Sequence, residues 1–140
     1  MGRVSRPATP EDVEEICLAL PETELGVTWG DVPTFVVRQK PKPRGFVLYR
    51  KPYANAVDPA TGEPYDDLLV VQTRGAADKE ALVQGPGPFF TIDHFARSNA
   101  VLVQQSRLGE LDVEELREVL TEAWLSVAPR RLVQEHFPDA

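Results

Sequence analysis

The sequence predicts a single α+β domain with a mainly antiparallel sheet and helices packed on one side. Three observations lead to this prediction. The 140 residues have the size of one ordinary domain and contain no interior linker. Helical signals at both ends enclose short apolar segments that are separated by Pro and Gly. Hydrophobic residues make up 42% and charged residues 26%, which is typical of soluble globular proteins.

The first helix is predicted to begin at Thr9. Threonine is a good N-cap, Pro10 suits the first helical position, and acidic residues follow where the helix dipole favours them. Apolar residues then recur at helical spacing and indicate a core-facing side: Val13, Ile16, Cys17 and Leu20. Residues 1–8 precede this start and are predicted to form a flexible tail, so the domain itself is 9–140.

The middle of the chain is predicted to contain four strands and a short helix. The strands are expected at residues 24–29, 34–38, 45–51 and 68–73. The turn 30–33 joins the first two, and a proline-containing loop joins the second to the third, because proline cannot donate a ladder hydrogen bond. Residues 52–66 form a long irregular loop. A helix is expected at 76–84, where Gly85 ends it.

The C-terminal part is predicted to add a strand pair and two helices. The sequence Gly-Pro-Gly-Pro at 85–88 breaks the chain before strands at 89–93 and 100–104. Asp112 and Glu115 have capping-box spacing at the start of the longest helix. A last helix is expected at 130–136. The longest helix carries an apolar stripe: Val113, Leu116, Leu120, Ala123, Trp124 and Val127. Trp29 and Trp124 are both predicted to be core aromatics.

The charge is distributed unevenly along the chain. Six basic residues and no acidic one lie between positions 32 and 57: Arg38, Lys40, Lys42, Arg44, Arg50 and Lys51. The formal net charge of the chain is −7, so the rest of it carries −13 against the +6 of this segment. Aromatic residues are interleaved with the basic ones: Phe35, Phe46, Tyr49 and Tyr53. A segment of this composition attracts polyanions and can stack bases.

Two interpretations of this predicted hairpin remain open. Lys, Arg and Pro on an edge hairpin protect a sheet against edge-to-edge aggregation. Alternatively the hairpin is a nucleic-acid contact, with Lys40, Lys42 and Arg44 at its tip against phosphates. Arg38, Arg50 and Lys51 would then lie nearer its base. Arg130 and Arg131 form a second basic pair, for which ion pairing with nearby glutamates is the simpler interpretation.

No pattern in the sequence indicates an enzyme, a metal or a cofactor. His94 follows Asp93 on a predicted strand, where neighbouring side chains point in opposite directions, so the two do not form a dyad. Cys17 has no second Cys or nearby His at metal-ligand spacing, and a free buried Cys behaves as a small hydrophobe. The chain lacks an apolar stretch long enough to cross a membrane and an N-terminal signal pattern. A cytoplasmic protein without a membrane partner is therefore expected.

Several short motifs together resemble the MmcQ/YjbR-like family of small bacterial proteins. They are Thr28-Trp29-Gly30 with Pro33-Thr34-Phe35, the Gly-Pro-Gly break, and the final Val127-Ala128-Pro129-Arg130-Arg131-Leu132. The resemblance covers roughly residues 9–137. It implies the α+β fold called double wing, which is also likened to type III secretion chaperones. Families of this kind are often labelled DNA-binding by analogy of fold, and no catalytic residues accompany that label.

The sequence therefore predicts a non-enzymatic binding protein. DNA or another nucleic acid, held by the basic hairpin, is the first candidate partner. The alternative is a protein–protein interaction or chaperone-like module with no nucleic-acid role, which the acidic remainder of the chain and the likeness to secretion chaperones favour.

Overall fold

Five antiparallel strands form one sheet in sequence order, and the computed structural model describes them within residues 6–28 and 32–140. Each strand pairs with the next along the chain. The strands are β1 (Thr23–Thr28), β2 (Val32–Val37), β3 (Arg44–Tyr49), β4 (Leu68–Val71) and β5 (Val101–Gln104). Trp29 and the first two residues of the predicted turn 30–33 lie outside the described residues.

In the described part of the chain, four α-helices accompany the sheet: α1 (Pro10–Ala19), α2 (Ala76–Gln84), α3 (Val113–Val127) and α4 (Arg130–His136). Two short 3-10 helices lie at Asp93–Phe95 and Gln105–Glu110. The helices contribute to one core cluster on a single face of the sheet. The α+β class, with an antiparallel sheet and helices on one side, is thereby confirmed. None of the described helices has both the length and the apolar character needed to cross a membrane.

The start of α1 is fixed by Asp12, three residues after the N-cap Thr9. Its carboxylate accepts hydrogen bonds from the backbone N–H and the hydroxyl of Thr9, at 2.8 and 3.0 Å. Arg6 adds two more, at 2.8 and 2.6 Å. Asp12 is buried, and the pKa of its carboxyl lies well below the usual range, mainly because of the hydrogen bonds from Arg6. The capping residues of α1 are therefore also an attachment point for the chain before it.

Residues 6–8 belong to this attachment rather than to a free tail. Ala8 is buried and its N–H donates to the Leu111 carbonyl at 2.9 Å. Pro7 forms a bridge with Asp112, and the Val113 N–H donates to the carbonyl of Arg6. Among the described residues, the contacts of the domain thus extend to Arg6, three residues before the predicted boundary.

The helix α3 supplies the centre of the core. Its buried residues are those of the predicted stripe: Val113, Leu116, Leu120, Ala123, Trp124 and Val127. Asp112 caps this helix by accepting from the Glu114 N–H at 3.0 Å, and the Glu115 carboxylate accepts from the Asp112 N–H, also at 3.0 Å. Both the cap and the phase of α3 follow the sequence prediction.

The other face of the sheet carries a second, smaller core. Leu68, Val70 and Leu102 face this side, while their strand neighbours face the helices, because side chains alternate along a strand. Loop residues and the 3-10 helix Asp93–Phe95 cover it, with Ala56 and Phe95 buried against the strands. Thus the long loop that the sequence predicted as irregular is part of the hydrophobic structure.

The predicted strand at 89–93 is wrong. Phe90 alone forms a bridge, exchanging backbone hydrogen bonds of 2.9 and 2.8 Å with Leu102. The chain then turns into the 3-10 helix, where the Phe95 N–H donates to the carbonyl of Ile92. Burial of the Phe95 side chain in the second core favours this turn over continued pairing with β5.

Candidate functional site at the β2–β3 hairpin

The basic segment folds into the hairpin formed by β2, β3 and the loop 38–43. Its register shifts between Phe35, which pairs with Val47, and Val36, which pairs with Gly45, so Phe46 is the extra residue of a bulge. Gly45 permits this geometry, because a Cβ there would lie 2.7 Å from the Cγ2 of the buried Thr34. The loop is fastened to the body by Gln39, whose Nε2 donates to the Val127 carbonyl at 3.0 Å.

Three of the six predicted cations lie at the exposed tip of the hairpin. Lys40, Lys42 and Arg44 are all exposed. None of them forms an ion pair with any other residue of the described ranges. We call these three residues the hairpin tip. It is a compact group of positive charges that is available to an external anion.

Arg38 is not part of this available charge. Its guanidinium lies 3.1 Å from the carboxylate of Glu22 and 3.9 Å from that of Glu24. Glu22 directly precedes β1, and Glu24 lies on it. The backbone N–H of Arg38 also donates to the Glu22 carbonyl at 2.8 Å. Although the side chain is half exposed, its charge is balanced within the fold, so Arg38 ties the hairpin to its neighbouring strand.

Arg50 and Lys51 lie at the opposite end of β3 from the hairpin tip. Arg44 and Arg50 are six residues apart, or about 20 Å along an extended strand. The Arg50 guanidinium faces a cavity beside Tyr53 and Phe95 rather than the tip. The six basic residues of the sequence therefore do not form one surface: three form the hairpin tip, Arg38 is balanced by glutamates, and Arg50 and Lys51 lie at the other end of β3.

Most of the interleaved aromatic residues are unavailable for stacking on bases. Phe35 and Phe46 are buried in the core on the helix side, which corrects the expectation that they belong to the binding surface. Tyr49 packs against Phe35 with ring centroids 5.9 Å apart, and burial raises the pKa of its hydroxyl to about 12. Tyr53 is exposed, but it lies beside Arg50 and not at the hairpin tip. The tip can thus contact phosphates but presents no ring for a base.

The two residues of the second basic pair, Arg130 and Arg131, differ in their ionic contacts. Arg131 lies 3.5 Å from the Glu135 carboxylate, as the simpler interpretation predicted. Arg130 is exposed and forms no ion pair within the described part of the chain. It follows Val127 by three residues, so its backbone lies within about 11 Å of the residue that Gln39 contacts. Arg130, which has no ionic partner among the described residues, therefore follows closely in the chain on the point where Gln39 attaches the hairpin loop.

The remaining candidate residues have structural surroundings. Cys17 is buried in α1, and burial raises the pKa of its thiol. His94 is exposed in the 3-10 helix and lies edge-on to Phe95. Within residues 6–28 and 32–140, no group of three or more His, Cys, Asp or Glu side chains is arranged to hold a metal ion.

A cleft of about 700 Å³ between α2 and α3 was not indicated by the sequence. Arg74 and Glu122 form an ion pair of 3.3 Å at its wall, and Arg117 and Glu118 lie alongside. Its charges of both signs give it no preference for one class of ligand.

Five strands in sequence order, with helices on one face and a basic hairpin, define a small α+β domain. The family model YjbR matches residues 18–126, and the chain therefore belongs to the YjbR family. The uncharacterized proteins Rv2570 of Mycobacterium tuberculosis and Mb2600 of Mycobacterium bovis are each 42% identical to it over 93 residues. That match covers 65% of this chain and 70% of each relative.

A solved structure confirms the fold. The crystal structure of Deinococcus radiodurans protein DR2400, with a DUF419 domain, is similar with a TM-score of 0.59 and 20% sequence identity. The superposition covers 91% of this chain and 86% of that protein. The resemblance to the YjbR-like family is thus confirmed by the family model, and the α+β fold by this structure.

Proposed function

We propose that this protein is a non-enzymatic binding protein that contacts the phosphate backbone of nucleic acid, DNA in the first instance, through the hairpin tip. The observation that carries the proposal is the set of three exposed cations, Lys40, Lys42 and Arg44, that lack an ionic partner within the described residues. Cations of this kind position a protein on phosphates without reading sequence.

The binding is expected to be electrostatic and weakly selective. Phe35 and Phe46 are buried, so the base stacking that gives affinity for single strands is missing from the tip. The net charge of −7 opposes approach of a polyanion, so attraction depends on the local charge of the hairpin. Three phosphate contacts predict a slope of about −2.7 for log affinity against log salt on duplex DNA.

Replacing the three tip residues together, Lys40→Ala, Lys42→Ala and Arg44→Ala, is expected to weaken duplex binding at least tenfold at about 50 mM salt and to flatten the salt slope. Fluorescence anisotropy with labelled duplex DNA, single-stranded DNA and RNA at two salt concentrations measures both quantities. Thermal stability should change little, since exposed loop charges contribute little to folding.

A matched control separates local charge from net charge. The control is the triple change Arg74→Ala, Arg107→Ala and Arg117→Ala. It also removes three positive charges, but from arginines that lie away from the hairpin tip and pair with glutamates. It should retain most of the affinity. Equal loss in both triple variants, or no binding by the unmodified protein at about 50 mM salt, would contradict a phosphate-contacting tip.

A second candidate function, protein binding, is favoured by the outer edge of the sheet. β1 is the first strand of the sheet, and its Leu25 and Val27 side chains are 50% and 65% exposed. An edge strand with exposed apolar side chains can accept a strand from another molecule. The partner we consider first is a second copy of this chain. Two β1 strands can pair antiparallel, because a two-fold dimer uses the same edge of both copies.

Self-association through β1 predicts a sedimentation coefficient that rises with protein concentration. Val27→Lys should keep the protein monomeric, because a charged side chain on an edge strand disfavours edge-to-edge pairing. Leu18→Lys on α1, where Leu18 is also exposed, serves as the control and should still associate. A monomer at every concentration from micromolar to millimolar would exclude this pairing.

A further inference from the structure

A cavity of about 190 Å³ lies on the face of the sheet opposite the helices. Its apolar lining comes from Val32 and Leu48 of the strands and from the rings of Tyr53 and Phe95. The volume corresponds to roughly six water molecules at about 30 Å³ each. It is below the range of about 300–1,000 Å³ of drug-sized ligand pockets, so any occupant is small.

Arg50 places a positive charge at this cavity. Its guanidinium carbon lies 4.7 Å from the centroid of the Tyr53 ring and 5.4 Å from that of Phe95, as in cation–π contacts. Its Nη2 donates to the Asn55 side-chain oxygen at 2.8 Å. These three contacts hold the planar group in one orientation and keep its positive charge at the wall of the cavity.

The charge of Arg50 is not balanced within the described structure. Its Nη1 is covered from solvent and has no hydrogen-bond partner, which is unfavourable for a charged donor. The described residues that line the cavity include no Asp or Glu. Arg50 therefore differs from Arg38, whose charge two glutamates balance.

Two further polar groups surround the same cavity. Lys51 is exposed at its wall and forms no ion pair with the described residues, and His94 is exposed beside Phe95. The lining thus combines two fixed positive charges, a histidine, and apolar or aromatic surface. These side chains come from the end of β3, the loop after it and the 3-10 helix some forty positions later in the chain.

We propose that this cavity binds a small organic carboxylate with a compact apolar body. The carboxylate would lie between Arg50 and Lys51, while the body would pack on Tyr53, Phe95 and Leu48. An apolar body matches the walls, and a fully hydrated inorganic anion would gain nothing from them. The site is separate from the hairpin tip, and the proposal does not depend on nucleic-acid binding.

Benzoate is the probe, because it joins one carboxylate to one small ring. Titration followed by NMR is expected to shift the signals of Tyr53, His94 and Asn55 together with a single dissociation constant. Benzamide, which has the same ring and no charge, should bind at least about tenfold more weakly, equivalent to the loss of one charge-assisted contact. Inorganic phosphate serves as the second anion.

Variants decide whether the guanidinium is the recognising group. Arg50→Gln should raise the benzoate dissociation constant at least about tenfold, and Lys51→Gln should raise it about threefold. Arg117→Gln, on the opposite side of the molecule, removes the same charge and should leave it unchanged. A urea titration of each variant shows that the folded protein is being compared.

Three results would overturn the proposal. One is the absence of saturable shifts at about 20 mM benzoate, a concentration that would nearly saturate a site with a dissociation constant of about 1 mM. Another is that benzamide binds as tightly as benzoate, or that folded Arg50→Gln binds benzoate as tightly as the unmodified protein. In the latter case Arg50 would only stabilise the loop. The third is binding of phosphate without benzoate, which would assign the cavity to a different anion.

Discussion

Trp124→Ala is expected to lower the free energy of unfolding by about 3–5 kcal/mol, the usual loss when a buried large aromatic is truncated. Trp124 is fully buried in the last turn of α3 and packs against Phe137, with ring centroids 5.3 Å apart. Its Nε1 donates to the Pro21 carbonyl at 2.9 Å, which joins α3 to the turn after α1. Truncation therefore leaves a cavity and also removes a hydrogen bond between distant parts of the chain.

Trp124→Phe separates these two contributions. It retains an aromatic ring in the core but leaves the Pro21 carbonyl without its donor, so the expected loss is smaller, about 1–3 kcal/mol. Urea unfolding followed by circular dichroism gives both values. A loss below about 1 kcal/mol for Trp124→Ala would contradict the burial of this residue in the core.

The helices could be predicted from the sequence because their signals are local. The caps at Thr9 and Asp112 and the stripe of α3 lie within a few residues of the elements that they define. The bounds of α2 and α4 were predicted correctly for the same reason, since Gly85 and Pro129 mark their limits.

The errors concern features that depend on contacts distant in sequence. The chain at 89–93 has an apolar pattern that suits a strand, but the burial of Phe95 in the second core ends its pairing after Phe90. Residues 6–8 are ordered by Asp12, Asp112 and Leu111, which the local composition of the tail does not reveal.

At the candidate site, too, local features could be predicted from the sequence and features that depend on distant contacts could not. The charge of the hairpin tip is evident from the sequence, because Lys40, Lys42 and Arg44 are neighbours along the chain. The surroundings of the other cations depend on tertiary contacts: Glu22 and Glu24 balance Arg38, whereas Arg50 lies against two rings without a carboxylate partner among the described residues. Counting charges along the segment therefore overestimated the basic surface.

Lys79 is the residue whose role the sequence hides most completely. It lies on α2, where a lysine is ordinarily a solvated surface residue, yet it is only 9% exposed. Its Nζ donates to the carbonyls of Phe95 and Ser98, both at 2.6 Å. A lysine on one helix thereby secures the turn that carries Phe95, although no carboxylate of the described residues lies within ion-pair distance of it.

Lys79→Met is expected to lower the free energy of unfolding by about 2–3 kcal/mol. The two hydrogen bonds from the charged group contribute about 1.5–3 kcal/mol each and methionine supplies neither, but methionine also avoids the cost of burying a charge, which offsets part of the loss. Methionine preserves most of the apolar stem, so the loss reports the hydrogen bonds more than the packing. Lys40→Met at the exposed hairpin tip is the matched control, with an expected change within about 0.5 kcal/mol.

The same substitution should also affect the cavity that Phe95 lines. Without the bonds from Nζ, the turn after the 3-10 helix loses its attachment to α2, and amide hydrogen exchange should accelerate at residues 95–98 more than in the sheet. Phe95 is one of the two rings that hold the Arg50 guanidinium, so a mobile turn would release that group as well. Unchanged stability together with unchanged exchange at residues 95–98 would show that Lys79 is dispensable and that burial of Phe95 alone fixes this side of the domain.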